Sequence, residues 1–199
     1  MNNNKTSNLG MWIVLSVFAF LIIFTVWLLS SLIISYNNLV DTEENVNLAF
    51  ANVQNVMQSR IEKIPDLVKV TDEAANHLET IYSDIAKSRA SLNAASTPEK
   101  LDEANIELTK NINQFLAVVE SYPTITASEQ YTALMDSIEG ASNRITIARE
   151  LYNTEVNKYN RLIKRFPGLL IADFFGFEEK ELFKADEEAN NSSIVDFGS

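Results

Sequence analysis

The chain contains no cysteine in its 199 residues. This excludes disulfides, thiolate metal sites, cysteine nucleophiles and a lipid-modified cysteine anchor, and leaves the redox compartment open. Glycine and proline are scarce, at five and four, as expected of long helices joined by few turns. There is one histidine, His77. A di-metal helix bundle needs an E-x-x-H motif on each of two helices, and here the residue three before the histidine is Ala74. No charged residue occurs between Thr6 and Val40, and all 27 acids and 15 of the 16 basic residues lie from Asp41 onward. That portion has a net charge of −12. It lacks the basic surface that a phosphate backbone requires, so nucleic acid is excluded as a partner, and its acidity favours solubility. The length suits one domain with an appendage.

What fills the uncharged stretch is LGMWIVLSVFAFLIIFTVWLLSSLII, Leu9–Ile34. As a helix it reaches roughly 39 Å, more than the ~30 Å of a hydrocarbon core. Trp12 and Trp27 fall near the two interfaces only if the helix tilts or the span shifts. The Ser and Thr hydroxyls can bond back to the helix. A cleaved signal peptide has a shorter apolar core, about 7–15 residues, followed by a small-x-small site. The exit SLIISYNN offers none, so a retained single-pass anchor in the bilayer is expected, in a plasma membrane of bacterial type. Lys5 precedes the span and the next basic residue is Arg60. The positive-inside rule then places the short tail in the cytoplasm and the large domain outside.

Beyond Tyr36 the apolar residues recur at helical spacing. Val46, Phe50, Val53, Met57, Ile61 and Ile64 form one face. Pro65-Asp66 suits the opening of a second helix, with Leu67, Ala74, Leu78, Ile81 and Ile85 as its face. In STPEK, Thr97 is a cap and Pro98 the first helical position. Leu101, Leu108, Ile112, Phe115 and Val119 carry that third helix to the SYP turn at Pro123. TASEQ offers a capping box from Thr126 to Glu129. Leu134, Ile138, Ile145, Tyr152, Val156, Tyr159, Ile163 and Phe166 then make a fourth stripe ending at Pro167. The similar lengths predict an all-α protein, a transmembrane helix followed by an antiparallel up-and-down four-helix bundle. The alternative is three helices led by one long Pro-kinked helix, because the apolar phase passes through Pro65 unbroken. The predicted organisation is a tail (1–8), a span (9–34), a bundle (35–167), an aromatic segment packing on the bundle or membrane surface (168–186), and a flexible acidic tail (187–199).

Little in the chain suits catalysis. His77 has no evident partner, and the paired acids Glu43-Glu44, Glu178-Glu179 and Glu187-Glu188 point to different sides of a helix. Phosphate-binding, dinucleotide-binding and nucleophile-elbow patterns are missing. The expectation is a non-enzymatic protein with no metal and no cofactor.

Three Tyr-Asn pairs stand out: Tyr36-Asn37, Tyr152-Asn153 and Tyr159-Asn160. Tyr152 and Tyr159 are seven apart and share a face. Tyrosine at core spacing buries its ring and directs its hydroxyl to a partner. In an up-and-down bundle the first helix's start meets the fourth helix's end, which predicts one membrane-proximal structural cluster from the three pairs. The same end holds Lys158, Arg161, Lys164 and Arg165, which complement the helix dipole or contact anionic headgroups.

YNNLV after the span, RIEKIPDLVKV, the SYP turn, NRITIARELYNTEVNKYNRLIKRFP, FFGFEEKELF and the terminal VDF together resemble the LemA family, from Tyr36 to Phe197 and most specifically over Asn143–Pro167. The resemblance implies an N-terminal membrane anchor and a four-helix up-and-down soluble domain. It implies no reaction. It places the short amino terminus outside and the domain in the cytoplasm, opposite to the charge count. Where the family pattern reads D-L-I-P this chain has E-K-I-P, which suggests that Lys63 is exposed. The leading functional reading is a membrane-anchored scaffold that binds protein partners through its helices or the FFGF segment. The rival is a sensory or ligand-binding membrane protein with its site at the Tyr-Asn end. The stripes that close a bundle also suit self-association into a homo-oligomer.

Overall fold

The computed structural model describes residues 4–70 and 75–184, with the side chains of 11–66, 69 and 80–184. The chain is all-α: α1 Asn4–Val70, α2 Ala75–Ala94, α3 Pro98–Val119, α4 Pro123–Thr126, α5 Glu129–Ile163 and α6 Gly168–Phe175. The flexible tail expected at 187–199 lies outside the described residues, as do the side chains of Leu67, Ala74, His77 and Leu78. The fold divides into two compact units. One comprises Met1–Asn45 with Lys158–Glu179, the other Val46–Asn157 with Lys180–Ser199.

In the first unit, every side chain from Met11 to Ser30 is exposed, in a helix whose most apolar window has a mean hydropathy of 2.7. Each large apolar side chain left in water forgoes about 1.5–3 kcal/mol of burial, so a stretch bare on all sides belongs in hydrocarbon. Two of its hydroxyls obey the same rule. Ser16 Oγ donates to the Ile13 carbonyl and Thr25 Oγ1 to that of Leu21, both at 2.8 Å, which keeps polar hydrogens paired inside the span. This is a membrane protein with one apolar N-terminal helix of spanning length among the described residues.

Above the span, Leu39 of α1, Tyr159, Asn160 and Ile163 of α5, and Ile171 and Ala172 of α6 are buried. Gly168 sets the joint between α5 and α6. A Cβ there would lie 2.3 Å from the Leu162 carbonyl oxygen, so only glycine lets α6 start this close to the end of α5. The same Cβ would sit in ordinary contact, 3.8 Å, with Ser35 Oγ of α1. Gly176, with φ of 77°, ends α6 in the left-handed conformation and donates its N–H to Ala172 at 2.9 Å. Phe166, expected to finish the fourth stripe, is instead 73% exposed. The reason is that α5 stops at Ile163 and the turn that follows takes Phe166 off the helical face.

The second unit is the bundle. Val53, Met57 and Ile61 of α1, Ile85 and Leu92 of α2, Leu101, Leu108, Ile112 and Phe115 of α3, and Leu134, Ile138 and Ile145 of α5 are all buried. Cross-links between helices give their directions. Tyr82 packs on Phe115 at 6.0 Å, and Asn111 Nδ2 donates to Ser88 Oγ at 2.7 Å; going up α2 goes down α3. Arg60 of α1 donates to Asn105 Oδ1 and Thr109 Oγ1 of α3, each at 3.1 Å. Asp102 of α3 meets Arg149 of α5, and Tyr152 of α5 meets Phe50 of α1. With a rise of about 1.5 Å per residue, these levels agree only if α3 runs with α1 while α2 and α5 run against it. The up-and-down four-helix bundle is therefore the arrangement found.

Two expected boundaries move. Pro65 does not open a helix: α1 continues through it to Val70. A proline in a helix interior costs about 3 kcal/mol through the lost hydrogen bond and a clash. The burial of Met57, Ile61 and Ile64, on the turns that lead up to it, offsets part of that cost. Lys63 beside it is half-buried, not exposed. The cap of the last long helix is Ser128, which accepts from the Tyr131 N–H at 3.2 Å. Thr126 sits inside the short α4 that Pro123 opens, its hydroxyl turned back to the Pro123 carbonyl at 3.3 Å. Thr97 caps α3 as expected, accepting from Lys100 N–H at 3.3 Å.

The Arg149–Asp102 pair, 2.6 Å apart with side chains 11% and 12% exposed, ties α5 to α3. Removing one partner of a buried pair strands the other charge, at about 3–5 kcal/mol. Asp102→Ala is expected to lower unfolding stability by that amount in denaturant titrations of the detergent-solubilised chain, whereas Asp84→Ala, which removes a largely exposed pair with Lys87, should cost under about 1 kcal/mol.

Candidate functional site

The most elaborate polar arrangement in the bundle unit lies along one face of α5, where Arg149, Tyr152 and Asn153 hold an irregular segment, residues 181–184. Tyr152 Oη donates to the Glu181 carbonyl at 3.0 Å. Asn153 bonds twice to one residue: its Nδ2 donates to the Phe183 carbonyl at 3.0 Å, and its Oδ1 accepts from the Phe183 N–H at 2.9 Å. Arg149 donates to the Lys184 carbonyl at 3.0 Å. The helix thus supplies side-chain donors and an acceptor at i, i+3 and i+4, the spacing that lines them along one face.

Phe183 is buried. Its ring lies 5.1 Å from that of Tyr152, edge on, and 6.4 Å from that of Phe50, stacked. The Arg149 guanidinium sits over it at 5.2 Å, a cation–π contact strengthened by partial desolvation. Arg149 is held in place by Asp102. The arrangement holds the chain's own segment: side-chain groups of α5 bond its main chain and an aromatic slot takes one of its side chains. It contains no nucleophile with a base. Among the described residues no three acidic or imidazole side chains converge as a metal ion would require.

In the first unit, Tyr36 packs against two rings of the C-terminal segment, Phe175 at 4.8 Å and Phe177 at 6.0 Å. Tyr159 and Asn160 are buried, while Asn37 is exposed. Burial pushes the Tyr159 phenol up to about 12, with the nearby carboxylates of Glu43 and Glu178 adding to it. Of the four cations at the end of α5, Lys164 pairs with Glu179, and Lys158, Arg161 and Arg165 are exposed. The three Tyr-Asn pairs thus fall into two groups, Tyr36, Tyr159 and their asparagines in one unit and Tyr152-Asn153 in the other.

Sequence reasoning singled out Tyr152 and Asn153 but not the residues they hold. Leu182-Phe183 is an apolar pair inside the charged stretch EKELFK, and that pair is the available signal. Arg149 and Asp102 gave none, because a charge pair formed by residues 47 apart in sequence has no local pattern.

An apolar N-terminal helix of spanning length and an all-α bundle with an aromatic C-terminal segment folded on it define a class of helical membrane protein. The chain belongs to the LemA family, whose profile matches residues 49–197. It is similar to Magnetosome proteins MamQ 1 and MamQ 2 of Paramagnetospirillum magneticum, each 26% identical over 208 residues that cover 92% of this chain and 73% of theirs. It is also similar to Magnetosome protein MamQ of Magnetospirillum gryphiswaldense, 23% identical over 193 residues, covering 84% of this chain and 71% of that one.

Burial raises the Tyr152 phenol from 10.0 to about 12, and the charge of Glu181 adds to the shift. A phenol whose folded value lies above its unfolded one stabilises the fold fully below the unfolded value and loses that contribution as pH rises through the folded value. Stability is therefore expected to fall between pH 10 and about 12, with the tyrosinate absorbance appearing late. Tyr152→Phe with Tyr159→Phe should flatten that loss. At neutral pH Tyr152→Phe alone should cost about 1 kcal/mol, the worth of one hydrogen bond.

Proposed function

We propose that the chain is a single-pass membrane anchor for a non-enzymatic bundle that binds protein partners as a scaffold. The observation that carries this reading is the Phe183 dock. A helix face that reads backbone amides and encloses one aromatic ring is a peptide-recognition surface, here occupied by the chain's own segment. The relatives support it in a limited way, since their shared name refers to a structure, the magnetosome, and not to a reaction. A second reading, a ligand-binding membrane protein, is favoured by one feature, an apolar hollow beside Tyr36.

The dock is tested with a fluorescent EKELFKA peptide, residues 179–185, added to the detergent-solubilised Phe183→Ala chain. Vacating the slot should give saturable binding by anisotropy, and Asn153→Ala in the same chain should abolish it. Binding that ignores Asn153→Ala, or no binding to a Phe183→Ala chain that keeps its helical circular dichroism, would refute the peptide-recognition reading. A reaction catalysed by the pure chain and abolished by single side-chain changes would sink the non-enzymatic part.

Sidedness is accessible because the chain lacks cysteine. Ser7→Cys and Ser192→Cys chains are treated in intact cells with an impermeant thiol reagent. The lysine balance around the span predicts labelling at position 192 alone and partners outside the membrane. Labelling at position 7 alone reverses the assignment and puts the bundle in the cytoplasm, as the family's usual orientation implies.

A further inference from the structure

Within the first unit, a hollow of about 470 Å³ lies between α1 and α6, walled by Leu32, Ile33 and Tyr36 on one side and Leu170, Phe174 and Phe175 on the other. That volume is in the ~300–1,000 Å³ range of pockets that take small ligands. Its lining is almost wholly apolar, and the one polar tip in its wall is the Tyr36 hydroxyl. We infer that this hollow holds an acyl chain of an anionic phospholipid whose headgroup lies against the arginines at the end of α5.

The membrane span supplies the first argument. Leu32 and Ile33 are the last turn of the apolar run Leu9–Ile34. The hollow is therefore continuous with the surface that hydrocarbon already covers, and lipid reaches it without crossing water. Its depth follows from the joint. Gly168 stands against Ser35 and Phe175 against Tyr36, so both ends of α6 touch α1 at the exit of the span. An eight-residue helix held there by its two ends lies across α1, at the boundary between acyl chains and headgroups.

The exposure of α6 agrees. Gly168, Ile171 and Ala172 are buried, while Leu169, Leu170 and Phe175 are exposed, and Phe174 is 82% exposed. A helix this apolar, open on its far face, is an interfacial element. Charge complementarity selects the lipid. Arg165 occupies the turn before α6, its carbonyl accepting from the Leu169 N–H at 2.8 Å, and Arg161 is one helical turn earlier on α5. Both side chains are exposed. They meet phosphate where a chain seated in the hollow ends.

The full-length chain in nanodiscs, with a phospholipid bearing a diazirine on one acyl chain, tests this. The probe is offered as phosphatidylglycerol or as phosphatidylcholine, and adducts are mapped by mass spectrometry. Adducts should concentrate on α6 and on Leu32–Tyr36, with phosphatidylglycerol favoured by roughly five-fold per arginine at low salt. Leu170→Trp, which fills the hollow, should remove the excess there. Arg161→Gln with Arg165→Gln, which leaves the apolar walls intact, should keep the adducts and erase the headgroup preference. Adducts spread evenly along the span, or equal yields from the two lipids in the unmodified chain, would overturn the proposal. So would an adduct-free α6 that forms a disulfide with a second copy in a Leu170→Cys chain, since a protein face would then cover the hollow. Failure of the chain to enter nanodiscs would overturn the membrane anchor as well. None of these outcomes bears on the Phe183 dock.

Discussion

One guanidinium joins three elements of the bundle unit. Arg149 forms an ion pair with Asp102 of α3, donates to the backbone of the C-terminal segment, and covers the Phe183 ring. A planar, delocalised cation with five forked donors can do all three at once, and a lysine ammonium cannot. Because Asp102 neutralises it, the positive charge is tolerated in a site that is otherwise aromatic. Because it is planar, the same group that satisfies the carboxylate presents its face to a ring. Arg60 makes an instructive contrast. It is buried beside α3 with the neutral oxygens of Asn105 and Thr109 as its bonded partners, and burial lowers its pKa.

The membrane-proximal unit is built on a different principle. From Met11 to Ser30 its span is exposed on every side, with Ser16 and Thr25 bonded back to its own carbonyls. Its C-terminal helix is apolar on the buried side and, apart from Asp173, on the open side too. Such a helix would be a liability in water, where exposed Phe and Leu patches promote association. At the exit of a span it meets hydrocarbon. The acidic composition of the remaining chain leaves the end of α5 as a local exception in charge, where Lys158, Arg161, Lys164 and Arg165 fall within eight residues.

Helical periodicity was the strongest guide to the fold. Residues of the first, third and fourth stripes are buried nearly as spaced, because long amphipathic helices leave a repeated mark. The boundaries were harder. Pro65 has the local preferences of a helix start, yet α1 runs through it, its face buried up to Ile64. Thr126 and Ser128 are both good caps, and which one serves depends on the short helix that Pro123 initiates. For the candidate site, the Tyr152-Asn153 pair was visible as an oddity, and its partners were not. Hydrogen bonds to carbonyls of residues 29 and 30 positions away leave no trace in local sequence.

Every hydrogen bond from α5 to residues 181–184 ends on main chain: the carbonyls of Glu181, Phe183 and Lys184, and the Phe183 amide. Asn153 in particular presents a side-chain amide as though it were one residue of a neighbouring strand. Main-chain groups are the same in all residues but proline, so these bonds carry no information about sequence. The whole identity of the docked segment is therefore written in a single ring, and its neighbours can vary under selection without loosening the grip.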